Sequence, residues 1–466
     1  MAQQYFDELR KEYSKFVYKS YDISVVDGNI ILLYRYSIFG KRDLNFIHTL
    51  TFEKSEHFEF NALDEKFQNL VFHIGIAELI SYYKITCAPI IEIEAGFIED
   101  VQCAWFSKLF FKGLGEFLFV NQIKTTQEEL FRISSSVSSK SGYVPIKMDN
   151  TMGSLVPVGG GKDSSVTLDI LESCIDDVAG QIVAISINPT KAAISVMENS
   201  TISGKPIIVK RKLDEQILEL NAAGFLNGHV PFSSIVAFIS IFAATISNLR
   251  YVVLSNENSA NEANVIFNEL DVNHQYSKSF EFEADFRFYC SKFLVEGVEY
   301  FSLLRPLHEL QIGAMFAHLS RYFADFRSCN VGSKNNIWCN KCSKCLFTYI
   351  MIAPFLNEDN LNSIFHADLL DDDELLGIFE QLVTPELVKP LECVGSYDEV
   401  NTAVGLIIEK RKKSLPSLLK WYSDKNETVV NSALLKDFLT PHALPRMFEI
   451  ILRERIARLI KIPKNK

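Results

Sequence analysis

A glycine turn followed by a lysine, an acid and hydroxyls, Gly159-Gly160-Gly161-Lys162-Asp163-Ser164-Ser165, is the stretch of this 466-residue chain best equipped for chemistry. Leu155 to Val158 before it is a short apolar run that reads as a buried strand, and Val166 to Leu171 after it reads as a helix. Strand, glycine turn and helix start together make an anion cradle. Glycines let the backbone approach closely, and the unpaired N–H groups of the helix start face the bound oxygens. Lys162 adds a point charge, and Ser164 and Ser165 add hydroxyl donors. Asp163 suits a metal ion or a hydroxyl rather than bare phosphate. The turn is not a Walker A loop, since Val156 stands where the first glycine belongs and Asp163 follows the lysine. It lacks the third glycine of the dinucleotide fingerprint as well. A turn of this form can also bind nothing, but glycines, lysine, acid and hydroxyls coinciding at one strand end favour a ligand.

Cys329, Cys339, Cys342 and Cys345 give the spacing C-x9-C-x2-C-x2-C. Four thiolates so spaced can close a tetrahedral shell around Zn²⁺, with no open position and therefore a structural role. Lys341 and Lys344 are placed to soften the thiolate charge. Reduced cysteines near a helix start, or an iron–sulfur cluster, are the other readings. Cys87, Cys103, Cys174, Cys290 and Cys393 are isolated and read as core residues.

Two polar clusters could bind or react. Ser255-Asn256-Glu257-Asn258-Ser259-Ala260-Asn261-Glu262 follows a strand and could grip ribose, phosphate or substrate. Asn273-His274-Gln275-Tyr276-Ser277-Lys278-Ser279 offers an acid–base imidazole and a cation. His73 lies on an apolar helix and reads as a satisfied core histidine; Glu92 and Glu94 make one acidic strand face.

These residues need a frame. Residues 1–133 read as an α+β domain: a hairpin turning at Asp27-Gly28, a strand from Asn45 to Phe52, and helices over Phe67–Tyr83 and Val101–Leu118. Residues 134–150 form a serine-rich linker. Residues 151–352 alternate strands (Leu155–Val158, Gln181–Ile187, Pro206–Val209, Tyr251–Ser255) with helices starting near Ser164, Lys191 and Ser233. That alternation predicts a doubly wound parallel sheet of α/β class. Ligands of such sheets lie beyond the carboxyl ends of the strands, where both the glycine turn and Ser255-Asn256-Glu257 fall. Residues 353–466 read as a mostly helical, polar region, and the acidic run Asp368 to Glu374 as solvated surface.

Composition narrows the classes. A net charge of −11 argues against nucleic acid as a partner, and 36 phenylalanines argue for a packed globular protein. The longest apolar run, Ile235 to Ile246, is too short to span a bilayer. Met1 to Asp7 lacks the basic start and apolar core of a secretory signal, and nine cysteines do not form an even disulfide framework, so the cytoplasm is the expected compartment.

The glycine turn resembles the PP-loop of the ATP pyrophosphatases, Ser-Gly-Gly-x-Asp-Ser, with Gly159 in place of the serine. Those enzymes split ATP between its α and β phosphates and leave AMP on a substrate oxygen. Further stretches make the chain similar to one family, the ATP-dependent epimerases of UDP-N-acetylmuramoyl-L-alanyl-L-glutamate in peptidoglycan synthesis. They run from Leu70-Val71-Phe72-His73 through Glu94-Ala95-Gly96-Phe97 to Gly113-Leu114-Gly115-Glu116-Phe117. They continue with the PP-loop, Leu254 to Glu257, Ser259 to Glu262, His274 to Ser279, the cysteine cluster and Lys389-Pro390-Leu391-Glu392-Cys393-Val394-Gly395.

The resemblance implies that Gly159, Gly160, Gly161, Lys162, Asp163, Ser164 and Ser165 hold the ATP phosphates, with Asp163 near Mg²⁺. It implies that Ser255, Asn256 and Glu257 line the nucleotide or acyl-adenylate. His274, Lys278 and Glu392 become candidates for proton transfer, and Asn261, Tyr276 and Ser277 for substrate contact. ATP, Mg²⁺ and a structural Zn²⁺ are the implied cofactors, and the UDP-sugar dipeptide is the implied partner. Two other readings remain open: a carboxylate-adenylating ligase of the 7-cyano-7-deazaguanine synthase kind, which has a similar cysteine cluster, and an ATP-binding sensor without turnover. The large extra regions around the PP-loop tell against the first, and the retained Asp163 and Ser164 against the second.

Overall fold

The computed structural model describes residues 2–137, 144–149, 151–175, 180–412, 414–425 and 427–461. The strands that frame the sites are β1 (Tyr13–Val26), β2 (Asn29–Gly40), β3 (Leu44–Phe52), β4 (Ile90–Ile93), β5 (Arg132–Ser135), β6 (Ser154–Pro157), β7 (Ile182–Ile187), β8 (Ile207–Lys212), β9 (Tyr251–Leu254) and β10 (Glu299–Ser302). The chain is mixed α/β and divides into two compact units, neither of them continuous. The first unit holds Met1–Leu155, Lys205–Val252 and Val265–Tyr300; the second holds Val156–Gly204, Val253–Asn264 and Phe301–Lys466.

In the first unit β1 and β2 form the expected antiparallel hairpin, turning through Asp27 (φ 52°) and Gly28 (φ 82°). Both positive angles belong to a type I′ turn, whose twist matches that of the strands. β3 pairs antiparallel with β2, β8 antiparallel with β3, β4 parallel with β1 and β5 parallel with β4. The helix Gln68–Tyr83 is buried on nearly all sides, which is why its apolar residues are not confined to one stripe. It packs on β1, on β2 and on the helix Phe232–Ile246.

Several expectations change here. The strand expected at Pro206–Val209 runs on to Lys212 and pairs antiparallel with β3, so it does not extend a purely parallel run. Its Arg211 can face inward because Glu78 receives it, the guanidinium lying 2.6 Å from the carboxylate. Burial alone would push Glu78 up, but Arg211 and His48 hold it down at about 2. The helix expected over 101–118 breaks at Leu114 into Asp100–Gly113 and Gly115–Val120. Ser134 and Ser135 belong to β5 rather than to a linker, and residues 138–143 of that stretch lie outside the described residues. Glu92 and Glu94 pair with Lys15 and Lys19 across the neighbouring strand, at 2.7 and 2.8 Å.

The second unit takes up the ends of β6, β9 and β10 together with β7. Val158 N–H donates to Ile185 O at 2.9 Å, and Leu303 N–H to Leu254 O at 2.8 Å. The helix Lys162–Glu172 follows β6, and Lys191–Glu198 follows β7. Beyond Ala353 the described residues are mostly helical, as expected, with Leu361, Phe365, Leu370, Phe379, Leu382, Val404 and Leu419 in the core. The acidic run is not simply solvated. Asp368 accepts from Tyr349 at 2.9 Å and pairs with Arg411 at 2.5 Å, and Lys341 bridges Asp372 and Glu374 at 2.7 Å each. No helix among the described residues is long and apolar enough to cross a membrane.

Candidate functional site

In the second unit β6 runs into the glycine turn, and Gly161, at φ −90° and ψ 177°, caps the helix that starts at Lys162. Gly160 sits at φ +86°, and a Cβ there would lie 2.5 Å from the backbone nitrogen of Ala193. Only glycine fits such a conformation and approach. Arg327 N–H donates to Gly160 O at 2.9 Å and holds the outer side of the turn. Gly159 differs: a Cβ there meets nothing within 4 Å, so a serine at this position has room. The hydroxyls of Ser164 and Ser165 both donate to Gly161 O, at 3.0 and 3.1 Å, and so brace the turn from within.

Lys162 is buried, and its ammonium makes very short contacts with both Asp163 and Glu309. Burial alone would lower its pKa; Asp163 and Glu309 more than reverse that, so it stays charged. Asp163, Glu257 and Glu309 each offer an oxygen, and these lie within 4.8 Å of one another. Burial pushes Glu309 up to about 8; Lys162 opposes the shift, and Asp163, Glu257 and Glu399 add to it. One ammonium among these carboxylates leaves negative charge that a proton or a divalent cation must balance. Oxygen-only donors of this kind suit a hard cation such as Mg²⁺.

Glu309 was not legible as a site residue. It opens the helix Glu309–Phe316, whose capping box links His308 and Gln311. Its backbone N–H donates to Glu399 at 2.6 Å, and Glu399 also lies 3.3 Å from His308 Nδ1. The carbonyl of Glu257 accepts from the buried Arg305 at 2.6 Å, and Asn256 Nδ2 donates to Ser302 Oγ at 3.0 Å. Ser255 Oγ, Ser259 Oγ and Arg327 Nε are buried without a hydrogen-bond partner among the described residues. Unsatisfied buried donors beside a glycine turn are what a polyphosphate or ribose ligand would satisfy.

The segment carrying Glu392 reaches the same loops. Lys389 lies 2.8 Å from Glu262, and Asn264 Nδ2 donates to Pro390 O at 3.0 Å. Glu392 accepts a very short bond from Asn330, next to the thiol cluster. Asn261 Nδ2 donates weakly to Asn258 Oδ1 at 3.4 Å.

The thiols of Cys329, Cys339, Cys342 and Cys345 gather as the spacing predicts. Sulfur–sulfur distances are 3.9 Å for Cys329–Cys342, 3.7 Å for Cys339–Cys345 and 3.5 Å for Cys342–Cys345. Backbone N–H groups of Gly332 and Cys339 donate to Cys329 Sγ at 3.1 and 3.4 Å. This donor set fits Zn²⁺ in a closed structural site. The lysines are engaged elsewhere than expected. Lys341 serves the acidic run, and Lys344 Nζ donates to Cys393 O at 2.6 Å.

The remaining predicted residues belong to the first unit. Tyr276 and Ser277 are buried, and burial, then Glu281 and Asp285, push the Tyr276 phenol well up. His274 Nδ1 makes a very short contact with Glu116. His229, in a stretch with no motif spacing to single it out, lies 3.6 Å from the same Glu116 oxygen. Lys278 Nζ donates to Gln275 Oε1 at 3.4 Å. His73 is the core histidine expected: Nδ1 bonds Asn69 O at 2.8 Å, Nε2 meets Gln102 at 3.1 Å, and burial pushes it down to about 4.

Comparison with known proteins gives a consistent picture. The family model for the MurL N-terminal domain matches residues 7–303, and that for the MurL C-terminal domain matches residues 325–435. A relative from Micromonospora sp. is 30% identical over 94% of this chain and 98% of its own length. One from Xanthomonas oryzae pv. oryzae is 32% identical over 73% and 75%, and one from Salinispora tropica 33% identical over 71% of each. All are named UDP-N-acetyl-alpha-D-muramoyl-L-alanyl-L-glutamate epimerase, and epimerases are isomerases. No solved structure gives a significant match. With matches to both domain models and similarity along nearly its whole length, the chain belongs to the MurL family.

Proposed function

We propose that this protein inverts the terminal L-glutamate of UDP-N-acetylmuramoyl-L-alanyl-L-glutamate to D-glutamate at the expense of ATP, as a cytoplasmic step of peptidoglycan synthesis. The observation that carries this is the convergence of Asp163, Glu257 and Glu309 on the helix start that follows the glycine turn, in a chain of this family. The Cα proton of glutamate is hard to remove while its neighbour is an anionic carboxylate. A carboxylate oxygen attacks the α-phosphorus of ATP, pyrophosphate leaves, and an acyl-adenylate forms. That mixed anhydride carries no carboxylate charge and withdraws electrons, so a base can take the Cα proton. Reprotonation on the opposite face inverts the centre, and water releases AMP.

Gly159 to Ser165 with Ser255, Asn256 and Glu257 bind the nucleotide in this reading, and Lys162 holds the carboxylates in register. Mg²⁺, held by Asp163, Glu257 and Glu309, would offset phosphate charge as pyrophosphate leaves. His274, Lys278 and Glu392 are the groups proposed for proton transfer; Asn261, Tyr276 and Ser277 are proposed to contact substrate. Zn²⁺ on the four cysteines is given a structural role.

The test is incubation with ATP, Mg²⁺ and the UDP-sugar dipeptide, reading AMP, pyrophosphate and the configuration of glutamate. Inversion coupled to AMP is expected. AMP formed only with ammonia and a carboxydeazaguanine would replace this reading by the ligase, and ATP binding without turnover by the sensor.

A further inference from the structure

Within the first unit, Glu116, His229 and His274 come from segments far apart in sequence, yet each offers a ligand atom within 4.8 Å of the others. Both imidazoles turn Nδ1 toward one carboxylate oxygen of Glu116, and their ring centroids are 4.5 Å apart. All three residues are half-buried, so an ion held there would keep positions open to solvent. The backbone is shaped to bring them together. A Cβ at Gly113 would lie 2.6 Å from Pro231, and one at Gly228 would lie 3.0 Å from the Phe117 ring. Asn121 Nδ2 donates to Asn227 O at 3.1 Å, and Lys84 Nζ to Gly228 O at 2.6 Å. These contacts hold the loop carrying His229 against the segment Gly113–Asn121, which carries Glu116, and against the end of the helix Gln68–Tyr83. The hairpin Val265–Phe267 with Leu270–Val272 delivers His274, its Val272 lying 3.7 Å from where a Gly115 Cβ would be.

An ordinary histidine–glutamate pair needs one imidazole. It does not account for a second Nδ1 aimed at the same oxygen. Two imidazoles and a carboxylate, with positions left open, are a donor set that binds zinc-like ions. Ligation requires neutral imidazole.

We propose that Glu116, His229 and His274 bind one divalent transition-metal ion of the Zn²⁺ class through the two Nδ1 atoms and a carboxylate oxygen. This site is chemically distinct from the four thiols and from the all-oxygen donor set of Asp163, Glu257 and Glu309. It commits the His274 Nδ1 lone pair to the ion.

The test is a Co²⁺ titration of the metal-depleted full chain in excess Mg²⁺, which occupies the all-oxygen donor set of Asp163, Glu257 and Glu309, followed by absorbance. Thiolate sites give intense near-ultraviolet charge-transfer bands; an imidazole–carboxylate site gives only weak visible d–d bands. After the charge-transfer bands saturate, about one further equivalent should bind with d–d bands alone. His229→Ala and Glu116→Gln should each abolish that second phase and leave the first intact. Its absence in the unsubstituted chain, or its survival in both variants, overturns the proposal. If both variants unfold, X-ray absorption at the zinc edge of the loaded unsubstituted chain decides. Imidazole scattering beside sulfur supports the site, and its absence overturns it. None of these readouts needs turnover, so they stand or fall apart from the epimerase assay.

Discussion

Neighbouring glycines in the turn face opposite constraints. Gly159→Ser fills open space and should leave stability within about 0.5 kcal/mol of the parent in urea unfolding. Gly160→Ala meets both a positive φ and the Ala193 backbone, and should cost about 2–4 kcal/mol in the same experiment. Lys162→Met strands buried carboxylates without their ammonium and should cost about 3–5 kcal/mol. Glu309 gives a pH dependence whose sign is fixed. Its carboxyl is raised from 4.5 to about 8, so in that interval the folded state binds more protons than the unfolded one. Stability without Mg²⁺ should therefore fall as pH rises toward about 8, and Glu309→Gln should flatten the slope in thermal melts across that range. Asp163 was legible because it stands inside a recognisable turn. Glu309 was not: His308-Glu309-Leu310-Gln311 reads as an ordinary helix start, and only the fold turns its carboxylate toward Lys162. His229 was missed for the same reason, since a single histidine in a loop carries no spacing to read.

Strands and helices were legible where alternation or helical spacing was strong. The β1–β2 hairpin announced itself by Asp27-Gly28, and the helix Gln68–Tyr83 by its apolar run. Pairing was less legible. Nothing in Ile207 to Lys212 says that its partner is β3, because the compensating charge for Arg211 sits at Glu78, far off in sequence. The thiol cluster gathers four sulfurs, so Cys345→Ser should weaken the charge-transfer bands of the cobalt-loaded chain, whose intensity follows the number of thiolate ligands. It should also lower the thermal midpoint by several degrees.

Dividing the chain by eye assumes that cuts fall between elements. Here three of the five cuts fall inside strands, in β6, β9 and β10, and each unit is assembled from three separated segments. Composition carries no trace of that interleaving. A fragment ending at Leu155 would lack both β8, which pairs with β3, and the helix Phe232–Ile246, which packs on Gln68–Tyr83. Residues 1–155 expressed alone should therefore show no cooperative melt and a collapsed near-ultraviolet dichroism, whereas the full chain should melt cooperatively and keep its near-ultraviolet signal. The interleaving also bears on birth at the ribosome. The first unit lacks its last segment until Tyr300 is made, so its core stays unfinished while the intervening segments of the second unit are synthesised. A nascent chain of this layout should lean on holding chaperones, and slowing its translation before that point should favour clumping over correct maturation.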